Sequence, residues 1–226
     1  MSITYFGQIR PQRQKGLPLD RYIHENYIKK RFNDGTFLEL GALNGRRFSN
    51  TKFFEDNMGF NQGVLIEPDP KSFTQLVKNR PKCECFNYAI HTEHKSVSFL
   101  TGGNSAMNCV DHSEAKTHIK DFHKRPGWGI SSTVPAERLD VILQKTKLEY
   151  LDFWSLDVEG SELQCLNSMD WSIPIGLVVI ETTANKEQID NIMINHGFSV
   201  MEQLYSDTIY FNLNYFRKDL FSFKNY

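Results

Sequence analysis

Short, almost unbroken apolar runs alternate along this chain with longer segments in which apolar residues recur every three or four positions. The runs are GTFLELG (35–41), GVLIE (63–67), ECFNYAI (84–90), LDFWSLD (151–157) and IGLVVIE (175–181). Apolar residues on consecutive positions predict strands buried on both faces, the pattern of a mostly parallel sheet. The intervening segments predict helices. One spans 18–32, where Leu19, Tyr22, Ile23, Tyr27 and Ile28 share a face. Others fall at 49–58, at PKSFTQLVKNR with proline in the first turn, and at 135–146, 160–168 and 185–196, the last closed by Gly197. Two final strands, 198–204 and 207–213, leave no room for a helix between them and predict a hairpin at a sheet edge. After a short alternating segment, SVSFL (96–100), regularity fades from 101 to 135. There TGGNSAMN is turn-rich, HSEAKTHIKDFHK fits a short helix and RPGWGISSTVP reads as a loop. The whole predicts an α/β fold in one domain, residues 1–226, with an N-terminal helical extension (1–34) and a lid or acceptor insertion (101–135).

Composition narrows the class. The 226 residues are 40% hydrophobic and 23% charged, ordinary for a globular protein, with 26 basic against 27 acidic side chains. A net charge of −1 supplies no global field for nucleic acid or an anionic membrane. The longest apolar runs are far too short to span a bilayer, and the N-terminus has Arg10, Arg13, Lys15 and Arg21 in place of a signal-peptide core, so a cytoplasmic location is expected. Cys83, Cys85, Cys109 and Cys165 form no CxxC pair and no zinc spacing, and read as reduced thiols.

The chemistry concentrates at strand ends. FLELGALNG places Glu39, Gly41 and Gly45 directly after the first strand, where glycines admit a ligand close to the backbone. The spacing is E-x-G-x-x-x-G, not the G-x-G-x-x-G of dinucleotide sites, and Leu43 would crowd a pyrophosphate. Glu67 ends the second strand, where a carboxylate can accept both hydroxyls of a ribose. A nucleoside without pyrophosphate points to S-adenosylmethionine (SAM) rather than NAD.

With these residues the chain resembles the FkbM-type SAM-dependent methyltransferases. The resemblance is carried by GTFLELGALNGRRFSNTKFFE (35–55), GVLIEPDPKSFTQLVKNRP (63–81), NYAI, ERLD, LVVIE and above all SLDVEGSE within 151–166, in family order over about residues 30–215. Ser161 departs from the alanine more usual in the family. The resemblance implies a Rossmann-like class I methyltransferase fold, a seven-stranded, mostly parallel sheet with its last strand antiparallel and helices on both faces. It also implies methyl transfer to a hydroxyl, usually of a sugar, glycan or polyketide. Carried over by position, Glu39, Gly41 and Gly45 would line the methionine side of SAM and Glu67 would hold the ribose. Asp69 and the backbone of Ala89 and Ile90 would lie near the adenine, with Pro68 and Asp157 completing the cofactor set.

An alcohol needs a general base or a divalent cation to become nucleophilic. Asp157 or Glu159 could take the proton; alternatively Asp157 and Glu181, with or without Glu159, could hold Mg2+. Glu162 reads as a helix-start acid. His24, His91, His112, His118 and His123 are further candidate bases, and Met107, Phe122 and Trp128 either line an acceptor pocket or pack the lid. RRFSNT (46–51) either faces the ligand or caps a helix through Ser49 or Asn50. The acceptor is expected to be a small molecule or glycan, with no nucleic acid partner. Two rival readings are an RNA 2′-O-methyltransferase, for which Lys30, Asp157, Lys186 and Glu202 occur in the right order, and a non-catalytic SAM-binding partner subunit.

Overall fold

The computed structural model describes residues 3–8, 16–102, 109–110 and 128–223. Helix α1 (Leu19–Asn26) precedes β1 (Gly35–Leu40), α2 (Lys52–Asn57), β2 (Phe60–Ile66), α3 (Pro70–Asn79) and the short strands β3 (Glu84–Phe86) and β4 (Ala89–Ile90). Then come β5 (Ser96–Gly102), β6 (Cys109–Val110), β7 (Trp128–Glu137), α4 (Leu139–Leu143) and β8 (Leu151–Leu156). Helix α5 (Glu162–Asn167), β9 (Ile175–Glu181), α6 (Lys186–Asn195), β10 (Ser199–Gln203) and β11 (Asp207–Phe211) complete the order.

Seven strands form one sheet in the order β10-β11-β9-β8-β1-β2-β3. Strands β3, β2, β1, β8 and β9 pair in parallel, whereas β11 runs antiparallel to both of its neighbours. This is the Rossmann-like methyltransferase fold expected, down to the reversed last strand and the terminal hairpin. Every residue of β1, β8 and β9 is buried, because alternate side chains enter two different cores. Phe37, Phe153 and Val179 meet α1, α2 and α3 on one face; Leu38, Trp154 and Ile180 meet α4, α5 and α6 on the other. Fully burying such a side chain contributes about 1.5–3 kcal/mol. Leu19, Tyr22, Ile23, Tyr27 and Ile28 all reach the first core as their spacing predicts, although α1 ends at Asn26 and the remaining apolar residues up to Phe32 are buried without helix. Among the described residues no helix is long and apolar enough to cross a membrane.

The middle of the chain departs from the sequence reading. The run 84–90 splits, with β3 in the main sheet and β4 in a second, four-stranded sheet of order β4-β7-β5-β6. The segment read as a loop and the start of a helix is β7, which pairs with β5 from Ser96–Pro135 to Gly102–Trp128, and α4 is shortened to five residues. A strand rich in Ser, Thr, Gly and Pro hides its period of two; Val134 and Ala136 turn inward, while Ser132, Thr133 and Pro135 are exposed. Residues Met107, His112, His118, Phe122 and His123 lie outside the described residues, as does the side chain of Trp128.

Residues 3–8 run back across the loop that follows β1, with a parallel bridge between Gly7 and Phe48. Asp20 ties them down: its buried carboxylate accepts the N–H of Phe6 at 2.6 Å and of Arg21 at 2.8 Å. Burial pushes that carboxyl up to about 6, against the lowering effect of these hydrogen bonds. A carboxyl raised in the folded state favours folding below its unfolded pKa, and that advantage is lost as pH rises through the folded value. Measured by urea denaturation, Asp20→Asn should therefore gain on wild type by about 2–3 kcal/mol between about pH 4 and pH 7.

Candidate active site

A cavity of about 1010 Å³, open to solvent, lies beyond the carboxyl ends of β1, β2 and β8, where open α/β sheets bind ligands. Glu67 and Pro68, which follow β2, and Tyr88, Ala89 and Ile90, which follow β3, line it together with Glu39 of β1, Ser155 of β8 and the residues Asn50, Asp157 and Glu159, with Gln8, Leu19 and Asp207 also on the wall. Strand register explains part of this grouping. Glu39 is paired with Ser155, Ser155 with Val179, and Glu181 with Asp207, so Glu39, Ser155, Glu181 and Asp207 share one sheet face, on which Asp157, two residues past Ser155, also falls.

The loop after β1 is built by close approach. Gly41, at φ +76°, would place a Cβ 1.8 Å from the Asp157 carbonyl oxygen, so β1 and β8 can end side by side only with glycine here. Leu43 takes a left-handed φ of +46°, which turns its N–H onto the Glu67 carboxylate at 2.8 Å. Glu67 accepts a second N–H from Asp69 at 2.8 Å and keeps lone pairs for a ligand. Burial raises this carboxyl to about 7, with the Asp69 charge adding to the effect.

Glu39 is held by three donors, Ser49 Oγ (2.8 Å), Asn50 N (2.7 Å) and Thr51 Oγ1 (2.7 Å). Behind it lies Arg80, wholly buried, which donates to the Gly45 carbonyl, Ser49 Oγ and Thr51 Oγ1 and pairs through Nε with Glu55. Ser49 Oγ also accepts the N–H of Lys52 at the start of α2, whereas Asn50 faces the cavity. The N-cap of α2 is Thr51, which makes no side-chain cap hydrogen bond, so neither Ser49 nor Asn50 is the cap residue expected.

The acids after β8 are crowded. Side-chain oxygens of Asp157, Glu162 and Glu181 lie within 4.8 Å of one another. Glu162 is more than a helix-start acid: it is buried, and its Oε1 accepts the N–H of Val158 (3.1 Å) and Gly160 (3.2 Å), folding the turn back on itself. That turn holds Glu159 at a left-handed φ of +54°. Burial, opposed by backbone hydrogen bonds and reinforced by Asp157, raises the Glu162 carboxyl to about 7. Burial and then Asp157 push Glu181 well above the usual carboxylate range. Asp157 Oδ1 is buried with no hydrogen-bond partner.

Of the predicted site residues, Glu39, Gly41, Glu67, Pro68, Ala89, Ile90, Asp157 and Glu159 line the cavity. Gly45, Asp69 and Glu181 do not. Gly45 serves packing, since a Cβ there would lie 2.6 Å from Arg80 Cγ and 2.7 Å from Leu76 Cδ1. Asp69 caps α3, accepting the N–H groups of Lys71 and Ser72 and the Ser72 hydroxyl. Glu181 joins the acid cluster from the side, through β9. His24 packs on Tyr5 and Phe53, and His91 Nδ1 accepts N–H groups from Glu93 and His94; neither reaches the cavity. Of Lys30, Asp157, Lys186 and Glu202, only Asp157 is on the wall; Lys186 pairs with Asp190, and Glu202 accepts the hydroxyls of Tyr22 and Tyr27. Arg80 and Glu55 escape the sequence reading, because a basic residue closing a helix and an acid within one look like dipole partners and solvated charges. Removing the guanidinium leaves two carboxylates buried without their cation. Arg80→Met should cost about 3–5 kcal/mol in chemical denaturation, with Arg80→Lys recovering only part of the loss.

No curated protein matches the chain. Among solved structures it is similar to a methyltransferase FkbM from Methylobacillus flagellatus KT, at 14% identity and TM-score 0.48, covering 85% of this chain and 50% of that one. It is also similar to M. capricolum TrmK in complex with S-adenosyl-homocysteine (SAH), at 9% identity, TM-score 0.43, 83% of this chain and 66% of that one. Aeropyrum pernix fibrillarin with natively bound SAM shows 11% identity, TM-score 0.41, 80% and 66%. The chain thus spans half of the first relative and just under two thirds of the other two. The family model for the methyltransferase FkbM domain matches residues 39–205, from the end of β1 to the turn of the final hairpin. That stretch is well over half of the sequence, and the chain belongs to the FkbM family of SAM-dependent methyltransferases.

Proposed function

We propose that this enzyme transfers the methyl group of SAM to a hydroxyl of a sugar, glycan or related small molecule, with Asp157 as the general base. The observation that carries the reading is the charge of the cavity wall. Among the described residues it holds Glu39, Glu67, Asp157, Glu159 and Asp207 and no lysine, arginine or histidine. Such a wall suits a sulfonium and repels phosphate, which favours SAM over dinucleotides and a neutral hydroxyl acceptor over a nucleic acid backbone. Glu67, Pro68, Ala89 and Ile90 would take the nucleoside, and Glu67 would accept the ribose hydroxyls. The sulfonium would then lie toward Gly41 and Asp157.

In the transfer the acceptor oxygen forms a bond to the methyl carbon as the carbon–sulfur bond breaks, leaving the thioether of SAH. The hydroxyl proton passes to Asp157, whose Oδ1 has no competing donor. Alignment of the acceptor supplies much of the remaining acceleration. Gln8 of the N-terminal segment and Leu19 of α1 line the same cavity and would face the acceptor.

One observation favours a second version: the converging oxygens of Asp157, Glu162 and Glu181 are hard ligands of the kind Mg2+ takes. A cation there would lower the pKa of a bound hydroxyl, and the three carboxylates would hold it. The two versions separate in an assay of labelled methyl transfer to a panel of sugars and glycans. Asp157→Asn should lower kcat by roughly a hundredfold or more, and a fully active variant would sink both. Activity unchanged by EDTA leaves the base version alone standing.

Glu67 adds a pH signature. Only its ionised form offers every lone pair to the ribose, so SAH affinity, measured by calorimetry, should rise as pH increases through about 7. Glu67→Gln should bind more weakly and lose that part of the pH dependence.

A further inference from the structure

Asn50 stands out among the residues that the proposed reaction does not use. The residue is 7% exposed, lies on the cavity wall, and is fixed at two points. The backbone N–H donates to Glu39 at 2.7 Å, and Nδ2 donates to Ser155 Oγ at 3.0 Å. The amide oxygen, Oδ1, is buried with no partner. A buried acceptor without a donor is costly unless a ligand completes it.

The position of Asn50 says which ligand atom would do so. Asn50 is bonded to Glu39 of β1 and Ser155 of β8, whereas Glu67 follows β2 on the other side of β1 in the sheet order, with β3 beyond it. With the nucleoside at Glu67, the methionine tail of SAM would reach toward Asn50. That tail ends in an ammonium, which only donates, and a carboxylate, which only accepts. Asn50 Oδ1 and Asp157 Oδ1 are both buried acceptors lacking donors, and no basic side chain lines the cavity among the described residues. We propose that Asn50 recognises the α-ammonium of SAM through its side-chain oxygen. The network behind it, Glu39 and Ser155, holds the amide in place before the cofactor arrives. The assignment rests on the cavity being the cofactor site.

Calorimetry with SAH and with its desamino analogue, in which hydrogen replaces the α-ammonium, tests the proposal. Wild type should bind SAH roughly tenfold to a hundredfold more tightly than the analogue, the worth of one hydrogen bond to a charged group. Asn50→Ala should weaken SAH by a similar factor and leave the analogue almost unchanged; Asn50→Asp, which keeps an acceptor, should retain the preference for SAH. Equal weakening of both ligands in Asn50→Ala, or none, overturns the assignment while leaving the cofactor site intact. Should that variant fail to fold, equal affinity of wild type for the two ligands overturns it as well. Wild type that binds neither ligand removes the cofactor site and this assignment together.

Discussion

The site depends on a guanidinium with no access to water. Arg80 leaves the end of α3, passes over the ring of Phe37 and meets Glu55 of α2, Glu39 of β1 and three oxygen atoms of the segment between them. Ion pairs this deep gain little net stability over an apolar core, because both partners surrender hydration. What they specify is geometry. Each hydrogen bond ends on the segment Gly45–Thr51 or on the acid it wraps, so α2, α3 and β1 settle in one relative position. Phe48 within this segment, and Leu43 just before it, hold left-handed backbone angles that such surroundings sustain.

Around this anchor the protein gathers negative charge. Glu67, Glu162 and Glu181 are all buried, and all are harder to ionise than free carboxylates. The sheet makes the crowding unavoidable: parallel strands ending together put their last inward residues in one row, and here those residues are acidic. Backbone N–H groups offset part of the cost, two for Glu67 and two for Glu162. Of the three, Glu67 alone lines the cavity, so its share of the remainder falls to whatever fills that space.

Much of this was legible in the sequence. Unbroken apolar runs announced strands covered on both faces, the α1 face was readable to the residue, and Glu39, Gly41, Glu67 and Asp157 stood at strand ends where register brings them together. Three things were not legible, for different reasons. β7 escaped because serine, threonine and proline on an exposed sheet face look like a turn. Gly45 and Asp69 enter the cofactor set by position in the family resemblance, which shows that a residue is constrained but not whether a ligand or a neighbouring helix constrains it; here Gly45 packs on Arg80 and Asp69 caps α3. Glu162 reads as a helix-start acid and Arg80 draws no notice, because one-dimensional order carries no sign of burial; only the fold shows that both turn inward.

The acidic wall also bears on how a cycle finishes. A methyl donor of this kind enters as a sulfonium and leaves as a neutral thioether, so the reaction erases one positive charge at its own centre. Carboxylates that attract the first species lose that attraction to the second at the moment the product forms. An acidic wall would therefore hold the charged donor more firmly than the spent thioether, and charge would ease the product out.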